Sequence, residues 1–155
     1  MAYVGVCRDW GIPAYIERSR SGNGAHVWIL FDEPIKAKTV RCLGNAILTE
    51  AMEREGRMSF KSYDRFFPNQ DFMPAGGFGN LVALPLQGRA RKKGNSVFVN
   101  DVFVPFADQW TYLQDMRKMS AAEVENLVSK HNWEPLGELS KSSDSVPWEL
   151  LSHDR

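Results

Sequence analysis

The chain has 155 residues and a formal net charge of zero, because 19 Lys and Arg balance 19 Asp and Glu. This length suits one compact domain, and the 43% hydrophobic and 12% aromatic content is too high for a disordered chain. No apolar run reaches the roughly 18 residues of a membrane span, and no signal-peptide pattern opens the chain. Cys7 and Cys42 lack metal-type spacing, so we expect reduced thiols in a cytoplasmic protein with no membrane partner.

The zero net charge conceals an uneven distribution along the chain. Residues 1–119 hold 16 basic against 12 acidic residues, whereas residues 120–155 hold 3 against 7. A basic body is compatible with binding nucleic acid or nucleotides. The last segment is rich in Ser, Pro and acidic residues, so we expect a domain over residues 1–132 and an acidic linker or tail over 133–155.

Hydrophobic periodicity and turn residues predict interleaved helices and strands, which favours an α/β or α+β class. Helices are predicted over residues 2–10, 36–54 and 110–116, and from Ser120, which opens a capping-box pattern. Short strands are predicted over residues 14–18, 26–31, 61–63, 80–84 and 96–99. The second strand is apolar after its first residue, which predicts burial on both faces. The second helix carries an apolar face formed by Val40, Leu43, Ile47 and Ala51.

A small-residue loop before the second strand is the first candidate site. Gly22 and Gly24 permit a tight turn that exposes successive backbone N–H groups, which can form an anion-binding nest. His26 begins the strand at the same mouth, with Arg18 and Arg20 nearby. Backbone donors, an imidazole and guanidinium charge suit a triphosphate. The same residues also fit a plain β-turn before a core histidine, and spacing alone does not decide between these readings.

Two later stretches hold polar residues that fit nucleotide chemistry. Asp64 follows a β-prone stretch, where a fixed carboxylate can hold a divalent cation, although an Asp that caps a turn also explains it. Asn80 follows a glycine-rich segment that permits close approach of a ligand, and its side chain can bond a sugar or base. A basic connection comes next, which either neutralises phosphates or forms a solvated hairpin tip; its side chains are Arg89, Arg91, Lys92 and Lys93.

Taken together in order, these stretches resemble the core motifs of archaeo-eukaryotic primases, in particular the primase domain of TOTE conflict systems. In those systems a primase-polymerase is joined to a helicase and an endonuclease. The matching phrases are residues 11–28, 63–71, 76–87, 94–99 and 108–110. The resemblance covers about residues 3–130. It implies a partial archaeo-eukaryotic primase catalytic core, with a mixed sheet flanked by helices.

The resemblance also implies roles for individual residues. His26 stands where the family contacts the triphosphate, and Gly24 replaces the serine of the family's Ser-x-His, so a hydroxyl contact is expected from Ser21. Asp64 stands where the family completes a metal site, so it is expected to bind Mg²⁺ or Mn²⁺. The further residues expected at the nucleotide are Arg20, Asn23, Gly24, Asn80 and Arg89. Those expected at a DNA or RNA primer-template are Arg91, Lys92 and Lys93.

One family motif is missing from the sequence. The first motif is a pair of acidic residues one residue apart, and this chain contains no Asp-x-Asp or Asp-x-Glu. Two-metal phosphoryl transfer needs several carboxylates. Asp32 and Glu33 lie roughly 20 Å from His26 at about 3.3 Å per strand residue, whereas Asp71 is a candidate second ligand. We therefore expect a fragment of a larger enzyme that does not polymerise nucleotides alone.

Three functions are open on the sequence. The first is a nucleotidyltransferase core that uses nucleotide triphosphates and a primer-template, in a longer protein with helicase and endonuclease domains. The second is a non-enzymatic module that binds nucleic acid or nucleotides and keeps the fold. The third is a structural domain that docks through its acidic tail.

Overall fold

The structure, a computed structural model, describes residues 2–54, 66–71, 75–76 and 81–130. Its helices are α1 (Ala2–Asp9), α2 (Ala37–Arg54), α3 (Gly88–Arg91), α4 (Gln109–Gln114) and α5 (Ala121–Lys130). Its strands are β1 (Tyr15–Arg18), β2 (Ala25–Trp28) and β3 (Phe98–Val99). Helices around a small sheet confirm the α+β class. None of the described helices is long and apolar enough to cross a membrane.

Helix α1 ends at a glycine, as the sequence predicts. Gly11 has a φ of 71°, in the left-handed region that glycine adopts without strain. Its N–H donates to the carbonyl of Arg8 at 3.1 Å, and the N–H of Ile12 donates to the carbonyl of Cys7 at 2.8 Å. These two bonds form a Schellman motif. The turn buries Ile12 and directs the chain into β1.

Helix α2 contributes the central wall of the larger core. The predicted apolar face is confirmed for Leu43, Ile47 and Ala51, which are buried, while Val40 is half-buried. This face packs against α1 and α5, and the buried members of the cluster are Val6, Cys7, Ile12, Leu43, Ile47, Ala51, Met119 and Val124. Both cysteine side chains are buried, and burial raises the pKa of the Cys7 thiol to about 12.

The three strands form an antiparallel sheet in the order β2-β1-β3. The central strand places Ile16 and Glu17 in the interior. Strand β2 ends at Trp28 and lies at an edge of the described sheet, with His26 exposed. Because His26 is exposed and residues 27–31 are half-buried, the prediction that this strand is buried on both faces is wrong. Among the described residues, parallel pairing is limited to an isolated bridge between Phe31 and Met119.

The region before β3 departs further from the predicted strands. The strand predicted over residues 80–84 is wrong for residues 81–84, which form no strand and expose Leu81 and Leu84; residue 80 lies outside the described residues. Apolar residues form a strand only where another backbone can pair with them. The strand predicted over residues 96–99 shortens to β3, and the basic connection contains the single turn of α3.

The predicted capping box at the start of α5 is confirmed. The Ser120 hydroxyl accepts the N–H of Glu123 at 3.2 Å, and the Glu123 carboxylate accepts the N–H of Ser120 at 2.8 Å. Arg117 donates to the other carboxylate oxygen at 2.7 Å. Hydrogen bonds from Ser120 and Arg117 lower the pKa of Glu123 to about 2. The cap fixes where α5 begins and therefore how it reaches the larger core.

Candidate functional site

A buried carboxylate holds the imidazole of His26. Glu17 and His26 are opposite each other in the register of β1 and β2. The Glu17 side chain is 2% exposed, whereas that of His26 is 51% exposed, and Nδ1 of His26 lies 3.1 Å from Oε2 of Glu17. Since a carboxylate accepts, the ring carries its hydrogen on Nδ1. Nε2 is then the nitrogen of this half-exposed ring that remains for a ligand.

The same carboxylate is fixed by two further donors. Nε1 of Trp28 donates to Oε2 of Glu17 at 2.7 Å, and the buried hydroxyl of Ser96 donates to Oε1 at 3.0 Å. The Trp28 ring also meets the imidazole edge to face, with centroids 6.4 Å apart. Glu17 therefore links both neighbouring strands to His26. The ring has a defined orientation before any ligand binds.

The loop before His26 satisfies its own backbone donors. The N–H groups of Gly22 and Gly24 donate to the carbonyl and hydroxyl of Ser19 at 3.0 and 3.1 Å, and that of Asn23 donates to the Ser21 hydroxyl at 3.3 Å. The hydroxyls of Ser19 and Ser21 lie 3.1 Å apart. The predicted anion-binding nest is therefore occupied by the loop's own oxygens. Rotation of the two hydroxyls would free the N–H groups of Asn23 and Gly24 for an anion, whereas that of Gly22 is bonded to a backbone carbonyl.

The two arginines beside the loop differ in role. Arg18 donates to the carbonyl of Gly94 at 2.8 Å and to that of Phe103 at 2.6 Å, so its guanidinium joins two other loops. Arg20 is exposed, and its carbonyl accepts from the Asn95 amide at 3.4 Å. The sequence indicated both side chains near a phosphate. In the structure, the Arg18 side chain is held by its bonds to two other loops, whereas Arg20 is exposed at the surface.

The basic connection packs directly on this loop. A Cβ on Gly22 would lie 2.9 Å from the side-chain oxygen of Asn95, so the two segments are in close contact. Ser96 donates from its N–H to the carbonyl of Ser19 at 3.4 Å. Four exposed basic side chains project from this connection: Arg89, Arg91, Lys92 and Lys93. The histidine, the loop and the basic turn therefore form one continuous surface.

The predicted metal ligands are not brought together in the described part of the chain. Asp64 and Asn80 lie outside the described residues. Asp71 accepts from Nε of Arg41 at 2.6 Å, and Arg41 also donates to the carbonyl of Pro68 at 2.9 Å. The guanidinium thus pairs with one carboxylate oxygen of Asp71, and the role of Asp71 as a second metal ligand stays a prediction. Within these ranges, no three His, Cys, Asp or Glu side chains are close enough to hold a metal ion.

Sequence reasoning missed the residue that organises the site. Glu17 lies in one of the stretches that resemble the family, residues 11–28, but the sequence pattern assigns no role to Glu17, Trp28 or Ser96. A usable signal was present, since a tight hairpin across residues 19–24 places Glu17 opposite His26. A charged residue in a strand beside an otherwise apolar neighbour indicates a paired carboxylate.

An α+β domain that presents a fixed histidine beside a small-residue loop and a basic turn fits a class of nucleotide-handling domains. The family model of the archaeo-eukaryotic primase domain of TOTE conflict systems matches residues 1–127. Because the match spans most of the 155 residues, the chain belongs to this family. None of the curated proteins compared with the chain matches it.

Proposed function

We propose that this primase-family chain binds the triphosphate of an incoming nucleotide through His26 and a nucleic-acid strand through its basic turn. The supporting observation is the half-exposed imidazole that Glu17 orients beside the 19–24 loop. Nε2 would face the phosphate oxygens, and a hydroxyl of Ser21 would add a contact after rotating from the loop. Arg20, Asn23, Gly24, Asn80 and Arg89 complete the proposed nucleotide site.

The strand in this proposal is a DNA or RNA primer-template. Arg91, Lys92 and Lys93 are exposed on the turn that packs against the loop, so their charge lies next to the proposed triphosphate. Phosphate contacts of this kind give salt-dependent affinity without sequence preference. We propose that the full system acts in the cytoplasm and joins this domain to a helicase and an endonuclease.

Archaeo-eukaryotic primase domains are generally metal-dependent. We propose Asp64 as a ligand for Mg²⁺ or Mn²⁺; bound there, the ion would stabilise charge on the phosphates. The described residues supply no further ligand cluster, and the sequence has no Asp-x-Asp or Asp-x-Glu. We therefore propose that polymerisation requires carboxylates from outside these 155 residues, and that this chain alone binds without extending primers.

The test is a titration with a fluorescent, non-hydrolysable nucleoside triphosphate, with and without Mn²⁺. His26→Ala should weaken triphosphate binding about tenfold, which is the scale of one hydrogen bond to a charged group. It should not change binding of the matching nucleoside, which lacks phosphates. Arg54→Ala is the matched control, because Arg54 is paired with Asp9 and Glu50 on the helical side of the fold.

Two outcomes would count against the proposal. Equal triphosphate affinity of the wild type and His26→Ala would remove His26 from the site. Equal losses for the triphosphate and the nucleoside would indicate a damaged fold rather than a lost phosphate contact. A primer-extension assay on the same preparations tests the proposal that polymerisation requires further carboxylates. Extension of a primer by the chain alone would contradict it.

A further inference from the structure

An exposed tryptophan stands beside the basic turn. Trp110 lies on α4 with 55% of its surface exposed, and the guanidinium carbon of Arg91 lies 5.3 Å from the centre of its ring. The pair borders an open cavity of about 530 Å³, whose walls include Val97, Pro105 and Phe106. This volume is within the usual range of small-molecule sites. The exposed face of the Trp110 ring is therefore accessible to a ligand.

Trp110 is held firmly despite its exposure. Asp108 caps α4 by accepting the N–H groups of Trp110 and Thr111 at 3.0 and 3.1 Å. Gln109 bonds both the N–H and the carbonyl of Phe98, at 2.7 and 2.9 Å, and so ties the helix to β3. These bonds fix the start of the helix immediately before the tryptophan. Such an aromatic offers a preformed surface rather than a loose one.

The surrounding charge selects a polyanion. Residues 72–100 contain four basic residues and no acidic one. The acidic residue in the cavity lining is Asp108. Its carboxylate accepts the backbone N–H groups at the start of α4 and the Thr111 hydroxyl at 2.8 Å. Its hydrogen bonds lower the pKa of Asp108, the Thr111 backbone contact contributing most. The cavity lining thus holds one basic and one acidic side chain, and the surplus of positive charge comes from the exposed side chains of Arg89, Lys92 and Lys93 on the adjoining turn.

We propose that Trp110 and Arg91 form a stacking shelf for a base of single-stranded nucleic acid, whose phosphates contact Lys92 and Lys93. Aromatic and guanidinium planes beside lysines are the general means of binding single strands without sequence preference. The proposal rests on the nucleic-acid half of the proposed function and adds a base contact to it. Asn95, which follows Arg91 in the same basic connection, contacts the loop that precedes His26.

The test measures fluorescence anisotropy of a labelled oligothymidylate and of an abasic oligonucleotide of equal length. Trp110→Ala should weaken oligothymidylate binding about tenfold, the scale of one lost base stack. It should leave the abasic strand, which keeps every phosphate, unchanged. Trp110→Phe should recover most of the affinity. Leu113→Ala is the matched control, since Leu113 lies on the same helix and is 36% exposed.

Each other result overturns the shelf. Unchanged oligothymidylate affinity in Trp110→Ala would show that no base stacks there. Equal losses on both strands would show a structural effect, and the Trp110→Phe variant separates this case from lost stacking. If the wild type binds neither strand, the nucleic-acid half of the proposed function fails together with the shelf. The triphosphate titration then decides the nucleotide half independently.

Discussion

Replacing Glu17 by glutamine should destabilise the fold even though the volume hardly changes. The carboxylate accepts from His26, Trp28 and the buried hydroxyl of Ser96. Glutamine keeps one accepting oxygen, and its NH₂ group cannot replace the other. If the oxygen stays with Trp28 and His26, the NH₂ group faces the Ser96 hydroxyl and cannot accept its hydrogen. Ser96 then keeps the N–H of Gln87 as a donor at 3.3 Å but has lost its acceptor.

The expected change in the free energy of unfolding follows from these hydrogen bonds. Hydrogen bonds to a charged group contribute about 1.5–3 kcal/mol each and neutral ones about 1 kcal/mol, while a stranded buried hydroxyl costs about 1–3 kcal/mol. Relief from burying a charge offsets part of the loss. We expect Glu17→Gln to lower the free energy of unfolding by about 2 kcal/mol, which is larger than most surface substitutions produce.

Urea unfolding followed by circular dichroism measures this difference. Glu50→Gln is the matched control, since Glu50 forms an exposed i,i+4 pair with Arg54 and should change stability by under about 0.5 kcal/mol. The reasoning is refuted if Glu17→Gln is as stable as the wild type or more so. That result would mean that desolvation of the carboxylate outweighs its three hydrogen bonds.

The remaining predictions concern the helices. Gly44→Ala should destabilise the fold by about 1–3 kcal/mol, because its methyl group would enter the ring of Phe66. Gly5→Ala has open space and should stabilise α1 by about 0.5–1 kcal/mol. Thermal unfolding of both variants gives the sign of each change, and a stabilised Gly44→Ala would contradict the contact with Phe66. Ser120→Ala should cost about 1 kcal/mol. Because the folded pKa of Glu123 is depressed from 4.5 to about 2, its contribution to stability is complete above pH 4.5 and disappears as the pH falls towards 2. The difference in stability between wild type and Glu123→Gln should therefore shrink over that window in urea titrations, and a constant difference would show that Glu123 has no depressed pKa.

Local signals made the helices predictable. The bounds of α1 and α2 follow from Gly11 and from apolar spacing, and the capping box marked the start of α5. The helix predicted over residues 110–116 forms as α4 (Gln109–Gln114), which begins one residue before the predicted start and ends two residues before the predicted end. These features depend on neighbouring residues along the chain, so a single sequence contains them.

The strands and the site depend on contacts that the sequence does not display. The exposure of His26 results from an edge position in the sheet, and residues 81–84 have apolar side chains but no strand to pair with. Arg41 bonds Asp71, which lies 30 positions away in the sequence, and no spacing rule indicates this pair. The role of Glu17 required the hairpin register, and the proposed shelf required α3 and α4 to meet in space.

The larger core joins residues that are synthesised at widely separated times. Val6 and Leu43 are buried in the same cluster as Met119 and Val124, which come from the last described elements. Contacts of such long sequence separation form late and slow folding. During synthesis, the apolar face of α2 that packs against α5 therefore stays uncovered until α5 has been made.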